Sequence, residues 1–399
     1  MHRGELKILK NSSRAIQSLT DLRAKNITFL GVGPMSTRVV DETIALANRF
    51  KKTIALIPSR RQVECAELGG GYVNSWTTES FTDYVRKADK YNNVLLSRDH
   101  SGPWQFKSTN SNGQVMAHQE AISEVKISLK ADIACGFDLI HIDPSLGISF
   151  GRNEAEVIED IIELIDFCVS LPGGRNLSFE VGADEQSMYP DLPSLAEYKI
   201  ARIIELLKDN SLPIPLFYVL QTGTKVKEMR NIGSFATHVP VRDMLSPMFQ
   251  IPEIMKLCKT YNVFLKEHNA DYLPEESLRW HRRLAIPAAN VAPEFGVVET
   301  KSILRLATES SENWFVELFS ETVIGGGKWQ KWMLDTSQAS DLEKVQIAGH
   351  YHFADINIQD AMQRLQNNLL KKHIDLEKIV RSDIRLSIER YLFHFGYYE

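Results

Sequence analysis

Two periods of apolar residues alternate along this chain. Short runs such as Ile27–Val32, closed by Gly33-Pro34, and Thr53–Ile57, closed by Pro58, have the density of strands buried on both faces. Between them, Thr37–Phe50 carries apolar residues at helical spacing. The same alternation continues with an amphipathic Glu79–Lys90 helix, a strand from Val94, a Glu120–Cys135 helix and the strand Asp138–Asp143. Next come the helix Glu154–Leu171, the strand Leu177–Val181, the helix Leu195–Leu207 and the strand Leu216–Leu220. The helix Pro252–Tyr261, the strand Asn262–Leu265, a short helix Glu275–His281, a last strand Leu284–Ile286 and a closing helix Val297–Ala307 complete the series.

Eight strands alternating with helices predict an α/β protein, a TIM (β/α)8 barrel spanning residues 27–310. Residues 1–26 read as a polar helical leader. The competing open doubly wound sheet lacks the GxGxxG turn or P-loop that would favour it. From about residue 311 to 399 the alternation stops. Three tryptophans (Trp314, Trp329, Trp332), the run Gly325-Gly326-Gly327 and the helical segments Ile358–Lys371 and Asp375–Ile388 predict a helical C-terminal extension.

In a parallel barrel the C-terminal ends of the strands converge on one rim, so the polar residues there are the candidates for chemistry. The third strand ends in Arg98-Asp99-His100 and the fourth in His141-Ile142-Asp143. The fifth ends in Glu180, with Asp184-Glu185 following, and the sixth in Gln221-Thr222-Gly223. The seventh ends in Glu267-His268, with Asp271 just after. His100, His268 and Glu180 offer a three-ligand site with an open position, which suits a catalytic divalent ion, Zn²⁺ being expected. Asp99, Glu180 and Asp143 are the candidate acid–base groups, Asp99 foremost because it adjoins a ligand. Arg60, Gln62, Arg98, His141, Gln221, Asp271 and Asn290 are candidate substrate-binding positions. Blander readings stand beside these. His141 and Asp143 could be core residues, Asp184 and Glu185 a solvated loop, Asp271 a turn residue, and Arg60, Arg61, Arg98 and Arg175 ordinary ion-paired arginines. His118, His281, His350 and His352 fall on helices or in the extension and read as surface or packing residues.

Among 399 residues, 43% are hydrophobic and 24% charged, the balance of a folded globular chain, and the net charge of -5 argues against nucleic-acid or anionic-membrane partners. The four cysteines are scattered without CxxC spacing, as expected of a reducing compartment. With no membrane-length apolar run, the expectation is a cytoplasmic protein without an anchor.

The segments QVECAELGGGY (Gln62–Tyr72), RDHSGPW (Arg98–Trp104), IHIDPS (Ile140–Ser145), VGADE (Val181–Glu185), LQTG (Leu220–Gly223) and EHNADY (Glu267–Tyr272) resemble the GatZ/KbaZ family. That family is the non-catalytic subunit of class II D-tagatose-1,6-bisphosphate aldolase. The resemblance implies a barrel of class II aldolase type acting on a sugar or sugar phosphate. It implies proton transfer at Asp99 and metal binding at His100 and His268, with aldol cleavage or C4 epimerisation of a ketose as the reaction. It equally implies an alternative, a subunit that binds and stabilises a partner aldolase chain, or a homo-oligomer. The chain departs from the pattern at Ile57, at Lys227–Arg230 and at Asn290–Pro293.

Overall fold

The computed structural model describes residues 13–182, 186–237 and 246–399. Eight parallel strands close into a barrel. They are β1 (Phe29–Val32), β2 (Ile54–Leu56), β3 (Val94–Ser101), β4 (Leu139–Ile142), β5 (Ser178–Val181) and β6 (Phe217–Val219), then, after a small hairpin of β7 (Val226–Lys227) and β8 (Arg230–Asn231), β9 (Phe264–Glu267) and β10 (Ala288–Val291). β10 pairs with β1 and shuts the ring. The surrounding helices are α1 (Arg14–Ala24), α2 (Thr37–Phe50), α3 (Thr78–Ala88), α4 (His118–Ala134), α5 (Glu154–Ser170) and α6 (Pro193–Asp209). They continue with the short α7 (Ser234–Thr237), α8 (Pro247–Thr260), α9 (Glu275–Leu284) and α10 (Pro293–Glu309). Local chemistry starts several of them: Thr77 with Ser80 and Asn153 with Glu156 form reciprocal caps on α3 and α5.

The closing strand differs from expectation. Leu284 ends α9 instead of starting a strand, because Ala285 turns the chain through a left-handed conformation (φ 56°) and Ile286 N–H still bonds to His281 O. The strand proper is Ala288-Ala289-Asn290-Val291, whose small residues pass as helix or loop on hydrophobicity alone. The seventh strand likewise lies two residues later than read, which carries Lys266 and Glu267 into the sheet.

The extension is α11 (Asn313–Gly326), α12 (Asp341–Ala348), α13 (Ile356–Lys371) and α14 (Leu376–Phe395). Its buried residues, among them Phe319, Leu365 and Ile388, join the same continuous core as the barrel wall. α14 lies along α2, α9 and α10. At the chain end, Tyr397 Oη accepts from Leu30 N–H and donates to Thr53 O, at the start of β1 and β2. Two 3-10 turns, Gln330–Trp332 and Gly349–His352, reach the opposite, C-terminal rim. The four cysteines are unpaired, and no helix among the described residues is long and apolar enough to cross a membrane.

Candidate active site at the barrel mouth

A cavity of about 390 Å³ opens at the C-terminal rim. Asp99, His100, Asp143, His268, Asp271 and Asn290 line its floor. The backbone of β3 explains how two consecutive residues face it. In a regular strand Asp99 and His100 would point to opposite sides. Here the register to β4 shifts between Arg98 and Ser101, and His100 takes a left-handed conformation (φ 51°). The irregularity turns both side chains to the mouth and is held by Gly102. A Cβ there would lie 1.8 Å from Asp143 O, so only glycine lets this turn close on β4.

Three imidazoles gather at the centre. The ring centroids of His100, His141 and His268 are 5.2 to 5.5 Å apart. One donor atom each from Asp99, His141, Glu180 and His268 falls within 4.8 Å of all the others. His141 is buried, and its Nε2 donates to Gly182 O at 3.0 Å. Its Nδ1, which accepts from His100 N–H at 3.4 Å, faces Asp99 Oδ1 at 3.5 Å and Glu180 Oε1 at 3.9 Å. Asp99 Oδ1 is buried without a hydrogen bond. Lone pairs thus converge where either a proton or a cation has to sit between them. His268 Nε2 lies 2.7 Å from Glu180 Oε1 and 3.2 Å from Asn290 Nδ2. Lys266 donates to the other oxygen, Glu180 Oε2, at 2.5 Å from below. Two imidazoles and carboxylates at this spacing fit a divalent cation.

Electrostatics keep the acids ionised. Burial pushes the Asp99 carboxyl up, but His100, His268 and His141 outweigh it and hold it well below the usual carboxylate range. Burial opposes Lys266, His141 and His268 at Glu180 in the same way, leaving that carboxyl at about 2. His100 Nδ1 is 3.0 Å from Asp143 Oδ2, and its Nε2 is 3.4 Å from Asp99 Oδ2. Asp143 is itself fully engaged, accepting from Ser145 N–H, Ser145 Oγ and Gln105 Nε2, so it orients His100.

Other expected positions fall differently. Arg98 points out of the barrel. It is completely buried, bonded to Asp132, Thr78, Pro58 O and Val63 O, and has no route to a substrate. Strand alternation that brings Asp99 inward leaves Arg98, in register with Ile140, on the helix side. Arg60 lines the cavity, yet Glu64 and Glu124 already match its charge. Gln62 also lines it; its Oε1 accepts from Ser59 N–H, and its Nε2 reaches Met35 Sδ. Gln221 Oε1 accepts from Ser187 N–H and so secures the loop after β5 instead of lining the cavity. Arg175 is exposed just before β5, at the far end from the mouth. Asp184 and Glu185 lie outside the described residues. Asn290 fits beneath the mouth because Gly31 faces it; a Cβ on Gly31 would be 2.2 Å from Asn290 Oδ1.

Asp271 caps α10, its Oδ1 accepting from Ala292 N–H at 3.0 Å and Glu294 N–H at 2.9 Å. Burial and then the neighbouring Glu294 push its carboxyl up to about 8, against the pull of those amides. The folded state therefore holds this proton more tightly than the unfolded chain does. The stabilisation is complete below the ordinary carboxylate pKa of about 4 and is lost as pH rises through about 8. Asp271→Asn, which keeps the acceptor, is expected to flatten the fall of Tm between about pH 5 and 9 in thermal melts. An unchanged slope would place the proton elsewhere.

Sequence reasoning missed one part of the site altogether. Lys331, Trp332 and Tyr351, from the two 3-10 turns of the extension, line the same cavity. The one signal was the paired Lys-Trp pattern of Lys328-Trp329 and Lys331-Trp332 after the glycine run.

No protein-family model matches the chain, and no curated protein matches it either. Solved structures do. A probable tagatose 6-phosphate kinase from Sinorhizobium meliloti 1021 is similar with a TM-score of 0.72 at 14% identity, over 92% of this chain and 100% of that one. Fructuronate-tagaturonate epimerase UxaE from Cohnella laeviribosi is similar at 0.56 and 12%, over 93% and 81%. Fructose-bisphosphate aldolase Fba from Campylobacter jejuni is similar at 0.52 and 9%, over 94% and 93%. At such identities the likeness is one of fold: this chain is a (β/α)8 barrel with a C-terminal helical extension, arranged as in these proteins.

Proposed function

We propose that the protein is a metal-dependent carbohydrate enzyme that breaks, or breaks and remakes, the C3–C4 bond of a ketose or ketose phosphate. The observation that carries this reading is the convergence of His141 Nδ1, Glu180 Oε1, His268 Nε2 and the unpartnered Asp99 Oδ1 beneath one cavity. Lys266 and His268 satisfy part of Glu180, but burying the oxygen of Asp99 without a hydrogen bond is costly unless a cation meets it. The solved neighbours are named for tagatose 6-phosphate, for fructuronate and tagaturonate, and for fructose bisphosphate, which points to ketohexose derivatives.

His141, Glu180 and His268 are assigned as the metal-holding residues, His141 through an Nδ1 that would give up its long 3.4 Å contact with His100 N–H, with a position left open toward the cavity. His100, the other expected ligand, stands with His141 and Asp143 in a second group at metal-ligating spacing, its ring between Asp143 and Asp99. A divalent ion there, Zn²⁺ by the donor set, would polarise the ketose carbonyl. Asp99, kept ionised, takes the proton of the C4 hydroxyl as the C3–C4 bond breaks, and the bonding electron pair passes to C3 and the C2 carbonyl oxygen. His100 gives that proton a second station, steadied by Asp143. Release of the aldehyde fragment makes the reaction an aldol cleavage. Rotation and recombination make it an epimerisation at C4.

The test is elemental analysis of purified protein, wild type beside His268→Ala and His141→Ala, with circular dichroism to check folding. Near-stoichiometric divalent metal in the wild type is expected, together with at least about a tenfold loss of metal affinity in each variant. Metal-free wild type after reconstitution would overturn the reading. The subunit alternative draws on a separate observation: Tyr198 on α6 and Phe249 on α8 stand exposed on neighbouring barrel helices. Co-purification with an aldolase chain, and activity only in its presence, would favour it.

A further inference from the structure

The two ends of the mouth cavity differ in charge. Its floor is acidic and imidazole-rich, whereas its rim carries Arg61 from the loop after β2 and Lys331 from the extension. Lys331 Nζ lies 4.9 Å from the Trp332 ring centroid and 5.1 Å from that of Tyr351. Lys328 Nζ shares the Tyr351 ring at 5.5 Å and reaches Tyr72 at 5.7 Å. Among the described residues none of these three cations has a carboxylate partner within ion-pairing distance; Arg61 donates to Gln105 O. Aromatic faces hold the two lysines in place but do not cancel their charge; Lys331 and Arg61 line the cavity, and Lys328 stands behind them on rings that line it.

The turn that carries Lys331 is fastened to the barrel. Lys227 Nζ donates to Lys331 O at 2.8 Å and to Met333 O at 3.3 Å. Glu228 N–H bonds to Trp332 O at 3.0 Å, and Glu228 Oε1 accepts from Leu334 N–H at 3.2 Å. The hairpin of β7 and β8, which follows the sixth barrel strand, thereby fixes where the extension meets the mouth. This is a reason for the extension to be part of the site and not a separate appendage.

We infer that Lys331, Lys328 and Arg61 form an anion subsite, through which the C-terminal extension binds the terminal oxyanion of a sugar whose carbonyl end lies over the histidine cluster. The second half of this inference rests on the proposed ketose chemistry; the subsite itself does not. A cavity of about 390 Å³ accommodates a hexose derivative spanning both ends. A phosphate ester and a carboxylate present the same oxyanion chemistry to lysine and arginine.

The experiment is isothermal titration of the full chain with inorganic phosphate, D-fructose 6-phosphate, D-galacturonate and D-fructose. Wild type is compared with Lys331→Met and with Lys328→Met/Lys331→Met, and metal content is measured on each sample. Expected is a loss of at least about tenfold in affinity for the phosphates or for the uronate in the double variant, about 1.4 kcal/mol. D-fructose binding and metal content should not change. Which anion responds tells ester from acid. Anion binding that is absent from the wild type, or equal in the variants, overturns the subsite. Lysine-dependent anion binding in protein that never takes up a metal would uphold the subsite while the metal-dependent reading fails.

Discussion

Asp99→Asn is expected to lower kcat on the ketose substrate by about 10³-fold while the protein keeps its metal and its fold. The substitution preserves shape and removes the basic oxygen. Asp99 is the carboxylate with a buried, unpartnered oxygen that also reaches the cavity. A carboxyl of ordinary pKa, about 4, is already ionised at neutral pH, so Asp99 is in its proton-accepting form there. Asp99 Oδ1 lies among the atoms that converge on the proposed cation, so elemental analysis decides between its service as base and as ligand. Retained metal with lost turnover supports proton transfer. Loss of metal along with turnover would instead make Asp99 a ligand and leave His100, through its link to Asp143, as the proton carrier. Unchanged kcat would remove Asp99 from the mechanism.

Arg98→Met is expected to destabilise the fold by about 3 to 5 kcal/mol, read as a shift in urea unfolding midpoint. Arg98 and Asp132 are both fully buried, and the guanidinium makes five hydrogen bonds, two to Asp132 and one each to Thr78, Pro58 O and Val63 O. Removing the cation strands the Asp132 carboxylate, whose pKa burial already raises. The double variant Arg98→Met/Asp132→Leu should recover much of the loss, because it removes both charges together. An Arg98→Met protein of normal stability but raised KM would return Arg98 to the substrate, against the burial seen here.

These two neighbours in sequence mark how far local pattern reaches. Hydrophobic period alone was enough for the barrel, because a strand buried on both faces and a helix buried on one leave different signatures over a few residues. The same alternation placed Asp99, His100, His141, Glu180 and His268 at strand ends, since the rim of a parallel barrel collects whatever ends its strands. It could not say which way each side chain points. Facing follows a period of two only while the strand is regular, and the shift in register at Arg98 to Ser101 is a relation between β3 and β4. Regular alternation puts Arg98 on the helix side and Asp99 at the mouth, and the shift adds His100 to the mouth. His141, readable as a core histidine, faces Asp99 and Glu180 from a regular β4, where it is the register partner of Glu180.

The extension shows the same division at longer range. Two of its four helices were visible as apolar periodicity near residues 358–388; α11 and α12 were not, and α14 runs on past Ile388 to Phe395. Where they pack was not visible, because contact between Trp332 and the loop after β6 joins positions about a hundred residues apart. Residue type and spacing along the chain determined the barrel, its rim and most of the chemistry available there. Tertiary packing decided which of those groups meet, which cations remain uncompensated, and that the last quarter of the chain lines the mouth, because those outcomes depend on separations in space that no local period encodes.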